Sequence, residues 1–89
     1  MKNKKKWLNI VLYFLYYLDI NNLEKWFDSI VEKIKKDYLE KEQIEIIEML
    51  EFFREKKDYN FKKLIDLKYS NKEIYTFLMI IYEKLREKR

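Results

Sequence analysis

Residues 4–19 read KKKWLNIVLYFLYYLD: three lysines, an almost unbroken apolar and aromatic run from Trp7 to Leu18, then an acid. A basic cluster before an apolar run is the charge order of a secretory leader, and the alternative is the buried helix of a globular domain. Two observations favour the helix. A leader needs a small-residue cleavage site after its apolar run, yet the chain has no alanine or glycine and its first serine is Ser29. The run also covers about twelve residues, with Asn9 inside it, against the roughly twenty that span a bilayer. An interfacial helix would need a segregated polar face that this stretch lacks, so membrane binding is not expected.

In a helix over 3–18, Trp7, Ile10, Val11, Phe14 and Leu18 share one face, which is expected to meet the core. Leu12, Tyr13 and Tyr16 fall on the other side. A helix apolar all round is either covered by its own chain or covered by a partner, and both readings stand for these three residues.

The absence of glycine and proline in 89 residues argues against strands, whose tight turns usually require a positive φ. The chain is therefore expected to be all-α: a compact bundle of four long helices plus one short helix, forming a single domain over 1–89 with a basic tail at 1–6. Asn22 is a plausible N-cap for a second helix, in which Leu23, Trp26, Phe27, Ile30, Val31, Ile34 and Tyr38 recur at three- and four-residue intervals. A third helix over 41–57 turns Ile46, Met49, Leu50 and Phe53 inward, with Ile47 and Phe52 on its flanks. Its outer face carries Glu45, Glu48, Glu51 and Glu55, read as a solvated stripe because hard-ion sites gather ligands from loops or from several elements.

Asn60 would cap a short helix, FKKLIDL, over 61–67. Ser70 and Glu73 then form a capping box, with Tyr69 and Ile74 placed as a hydrophobic staple. The helix that follows points Ile74, Phe77, Leu78, Ile81 and Leu85 inward and Met79 and Ile80 elsewhere.

The net charge of +4 is unevenly placed. Four lysines lie within residues 1–6, the stretch 7–60 is net acidic, and 61–89 is net basic. Such asymmetry can steer an acidic partner. With no histidine and no cysteine, zinc chemistry and histidine-assisted nucleophilic catalysis are excluded within this chain. The remaining carboxylates sit on solvated faces and no phosphate-cradling loop is present, so no enzymatic activity, metal or cofactor is expected. A chain without disulfide staples is expected in the cytoplasm. The excess of lysine, isoleucine, asparagine, tyrosine and phenylalanine is also what an AT-rich genome encodes, which suits a phage- or plasmid-borne protein.

The stretch FKKLIDLKYSNKEIYTFL resembles a helix-turn-helix, with Leu67, Tyr69, Ile74 and Phe77 at the motif's apolar positions. YSNKEI also resembles the opening of the first motif helix in response-regulator DNA-binding domains. The sequence departs from the motif at Leu64, where a small residue is usual, and at Lys68, where the turn normally has glycine. The resemblance implies DNA contacts by Lys68, Asn71, Lys72, Tyr75 and Thr76, with the Lys2 to Lys6 tail on phosphates.

The apolar surplus points instead to protein. Leu12, Tyr13, Tyr16, Ile44, Phe52, Met79 and Ile80 exceed what one small core requires, and aromatic and methionine side chains are enriched at interfaces. The expected role is a small protein-binding regulator or inhibitor, acting on a nucleic-acid-handling or defence machine of a host, or a homodimer. The alternative is a helix-turn-helix-like DNA-binding protein using residues 61–89.

Overall fold

The computed structural model describes residues 4–17 and 20–87, so expectations for Lys2, Asn3, Leu18 and Asp19 lie outside the described residues. Four α-helices form: α1 (Lys4–Phe14), α2 (Leu23–Asp37), α3 (Glu40–Arg54) and α4 (Asn71–Glu87). Single turns of 3-10 helix occur at Leu15–Tyr17, Ile20–Asn22 and Phe61–Lys63, and there is no strand among the described residues. The all-α bundle is the observed architecture. No described residue has a positive φ, as suits a chain that makes its turns without glycine.

α3 packs against both α1 and α4, and α4 packs in turn against α2. The buried side chains of all four helices, with Phe61, Leu67 and Tyr69 from the connection before α4, form one contiguous cluster. Burial of this apolar surface is the main term offsetting chain entropy in so small a domain.

In α2 the three- and four-residue spacing becomes a buried stripe of Phe27, Ile30, Val31 and Ile34, with Leu23 and Trp26 half-buried beside it. Asn22 occupies the N-cap position but its side chain makes no capping hydrogen bond. The turn into α3 is closed by side chains of α3. Gln43 Nε2 donates to the carbonyls of Lys35 (3.1 Å) and Tyr38 (2.8 Å), which serves the open C-terminal end of α2. Glu42 Oε1 accepts the Leu39 amide at 2.8 Å at the start of α3.

α1 departs from expectation in two ways. Its α-geometry ends at Phe14 and tightens into the 3-10 turn Leu15–Tyr17. Its core face comprises Trp7, Leu8, Val11, Leu12 and Leu15, with Ile10 and Phe14 only half-buried. That face is rotated by about 70° from the one expected, taking 3.6 residues per turn. On a helix apolar all round, the pattern alone does not fix which side is buried. Trp7, Val11 and the three leucines went inside, and the tyrosines, whose hydroxyls would need buried partners, stayed at water. Leu12, expected at an interface or under a neighbouring helix, is fully enclosed by its own chain and belongs to the core.

α3 ends at Arg54 rather than at 57, where Tyr75 Oη donates to the Arg54 carbonyl at 2.7 Å. The short helix expected over 61–67 reduces to one 3-10 turn, Phe61–Lys63. Asn60 gives it no side-chain cap. Instead Asn71 Oδ1 accepts the Lys62 amide (3.0 Å) while Asn71 Nδ2 donates to Asn60 Oδ1 (3.0 Å), which ties the turn to the start of α4. Tertiary hydrogen bonds here override a local helical pattern.

The start of α4 agrees with the sequence in detail. Ser70 Oγ accepts the Glu73 amide at 3.1 Å and Glu73 Oε1 accepts the Ser70 amide at 2.9 Å, with Tyr69 and Ile74 both buried alongside. Ser70→Ala is expected to cost about 1 kcal/mol, or about 5 °C in Tm, read by thermal unfolding. A change under about 0.3 kcal/mol would show that the box adds nothing to stability. Tyr82, which the apolar pattern passed over, is buried with its hydroxyl donating to Glu51 Oε2 at 3.0 Å.

Candidate functional site

The exposed aromatic side chains gather where α1 ends. Tyr13, Tyr16 and Tyr17 are 55%, 50% and 69% exposed. The Tyr13 ring lies edge-on to Tyr16 at 5.6 Å and tilted against Tyr17 at 6.0 Å, so the three form one platform. Buried Leu15 anchors the backbone beneath them, and the 3-10 turn brings Tyr16 and Tyr17 round beside Tyr13. Hydrogen bonding to Tyr13 is the main cause that holds the Tyr17 phenol above its ordinary pKa, because it favours the neutral form. Tyr16 also borders a shallow groove of about 250 Å³, across from Lys68 and Tyr69.

The other residues expected at an interface are more covered. Phe52 is 40% exposed, but Lys4 Nζ sits 3.7 Å from its ring centroid and Lys56 Nζ 5.4 Å away, a pair of cation–π contacts that use much of the ring's face. Ile44 is half-buried. Met79 and Ile80 are half-buried against the core and floor a groove of about 520 Å³ beside α4. Its rim carries Glu24, Glu83 and Glu87, while Lys84 Nζ is held by Glu24 Oε1 (3.1 Å) and Asp28 Oδ1 (3.0 Å). Hydrogen bonding to Asp28 and then Glu24 keeps the Lys84 ammonium charged beyond the ordinary lysine range. Sequence reasoning missed Tyr17 and the 71% exposed Leu39. The adjacent Tyr16 and Tyr17 were the available signal for the first; Leu39 carried none.

The DNA-binding alternative loses its geometry. Residues 61–70 contain one 3-10 turn and no α-helix, so the two-helix corner is absent. Asn71, Lys72, Tyr75 and Thr76 do come together, lining a groove of about 490 Å³ with Lys57 and Asp58, while Lys68 lies apart from it in the groove beside Tyr16. Three of the five have their polar groups engaged. Asn71 clips the preceding turn, Tyr75 bonds Arg54, and Thr76 Oγ1 donates to the Lys72 carbonyl at 3.0 Å.

The acidic stripe of α3 serves partly as an internal tether. Glu45 Oε2 accepts from Trp7 Nε1 at 3.1 Å and Glu51 accepts from Tyr82. No group of three carboxylates among the described residues is placed to hold a metal. Nor is any helix among them long and apolar enough to cross a membrane.

No known family, curated protein or solved structure matches this chain.

Proposed function

We propose that this chain works by binding another protein, as a small helical regulator or inhibitor. The observation that carries this reading is the platform of Tyr13, Tyr16 and Tyr17, each at least half exposed, with the Tyr13 ring in contact with both of the others. Scattered exposed apolar residues need no explanation, but a cluster of large aromatic rings at the surface marks an interaction site. Tyrosine offers a partner a large rigid contact area at low entropic cost, together with a hydroxyl for hydrogen bonding.

The test compares the wild-type chain with a Tyr13→Ser/Tyr16→Ser/Tyr17→Ser variant as baits in the same lysate. A partner held by the wild type is expected to be lost by the variant, with affinity for the purified partner reduced by about 1000-fold, two hot-spot residues' worth at about 2 kcal/mol each. The variant's own stability should change by less than about 1 kcal/mol, because the rings are exposed. Equal capture by both baits would refute the reading.

A further inference from the structure

We infer that the protein docked on the tyrosine platform presents a patch of aspartate or glutamate side chains beside its contact with the rings, and that Lys5 and Lys6 of α1 receive those carboxylates. The inference rests on the platform's role proposed above and names the chemistry of what it binds.

Within residues 4–17 the exposed side chains are Lys5, Lys6, Asn9, Tyr13, Tyr16 and Tyr17. Their three- and four-residue intervals set them in one strip on the outward side of α1, opposite its buried face. The strip runs for about 18 Å, from lysines at the start of the helix to tyrosines at its end. It contains no carboxylate, since the first acid of the chain is Asp19, after four lysines.

The placement of those lysines does nothing for the helix itself. In α2, α3 and α4 an acid stands in the first turn and a base in the last, as the helix dipole favours. α1 reverses this: Lys4, Lys5 and Lys6 crowd its first turn, where cations oppose the dipole, and no acid joins them. A local rule broken without a stabilising gain marks a functional demand. Nor are the charges answered within the chain. No described carboxylate lies within 4 Å of any of the three ammonium groups. Lys4 rests on the Phe52 ring together with Lys56, and Lys6 rests on Trp7 at 4.6 Å, so rings rather than acids hold them. Glu45 of α3 reaches α1 through the Trp7 N–H and Glu48 follows one turn on, but neither closes an ion pair with these lysines.

The tyrosine end differs. Lys68 shares the groove beside Tyr16 with Asp66, so charge is balanced there. Lys6 and Tyr16 stand about 15 Å apart along the axis, beyond a screening length of about 8 Å, and Asp66 therefore does not neutralise the lysine end. A nucleic-acid strand carries a phosphate at every nucleotide and would bring negative charge to the tyrosine end as well, against Asp66. A protein surface can set carboxylates at one end of its contact and apolar side chains at the other. That arrangement matches the strip.

Fluorescence anisotropy of a labelled glutamate–tyrosine copolymer with the full chain, at about 50 mM salt where exposed charges are least screened, tests this. Binding is expected, and Lys5→Glu/Lys6→Glu should weaken it by about tenfold, because each change replaces an attraction with a repulsion. Lys25→Glu/Lys33→Glu, on the exposed side of α2, alters the net charge equally and should change the affinity by less than about twofold. All four positions are exposed, so circular dichroism of both variants should match the wild type. No binding by the wild type, or equal losses in the two variants, overturns the inference. So does tighter binding, with the same dependence on Lys5 and Lys6, of oligothymidylate or of phosphatidylserine vesicles. The Tyr13→Ser/Tyr16→Ser/Tyr17→Ser variant separates the two readings. If it binds the copolymer as well as the wild type does, the platform fails; if only the Lys5→Glu/Lys6→Glu variant is unchanged, the platform stands and its acidic partner does not.

Discussion

Trp7→Ala is expected to destabilise the fold by about 4 kcal/mol, a large fraction of what a domain of this size possesses. The indole is 2% exposed and is the largest side chain in the core. It meets Tyr38 edge-on at 5.7 Å, at the turn between α2 and α3, and bonds Glu45 on α3 through Nε1. One side chain thus holds α1 against two other parts of the bundle. An 11-residue helix has little stability of its own, so without this anchor α1 should be the first element to detach. Denaturant unfolding followed by circular dichroism measures the loss. Trp7→Phe separates ring burial from the hydrogen bond. Glu45 is half-exposed and can turn to water, so this variant should cost only about 1–2 kcal/mol. A Trp7→Ala cost below about 1 kcal/mol would mean that α1 is held by its leucines alone.

The contrast between α1 and α2 shows what in this fold could be read from sequence. In α2 the charged residues Glu24, Lys25, Glu32, Lys33 and Lys36 leave only one apolar stripe, so Phe27, Ile30, Val31 and Ile34 could go only inward. In α1 only Asn9 and the Tyr13 hydroxyl oppose burial between Trp7 and Phe14. The choice is made by neighbours distant in sequence, such as Glu45, whose carboxylate meets the Trp7 N–H from 38 residues away. The Ser70–Glu73 box was legible because both of its bonds span three residues. The Asn60–Asn71 clip was not, because it spans eleven and replaces a helix that the local pattern favoured.

The surface was legible in part for the same reason. Tyr13 and Tyr16 stood out as aromatic residues off the expected core face, and both are exposed. Leu12 stood beside them and is buried, because the true core face includes their side of the helix up to the point where hydroxyls begin. Tyr17 joined them only when the chain tightened to three residues per turn. Tyr82 went the opposite way: a tyrosine among apolar residues is a fair core member once a carboxylate reaches its hydroxyl, and Glu51 is 31 residues distant.

Phe61→Ala is expected to cost about 3–4 kcal/mol, and its effect should be concentrated between residues 55 and 70. That segment contains one 3-10 turn and few backbone hydrogen bonds, so side chains inserted into the core must hold it down. Phe61 is fully buried and packs with Tyr59 at 5.1 Å and Phe53 at 5.8 Å, which fastens the segment to the end of α3. Releasing it would also free Lys62, whose amide is held by Asn71 at the start of α4. Native-state hydrogen exchange is the discriminating measurement, because it resolves local opening from global unfolding. In the variant, amides of 55–70 and the first turn of α4 should exchange faster than those of α2 by more than in the wild type. Uniform acceleration across all four helices would show instead that Phe61 belongs to the same cooperative unit as Trp7. The groove lined by Lys57, Lys72 and Tyr75 would then be as rigid as the core beneath it. If the local result holds, that groove loosens together with the segment that forms one of its walls.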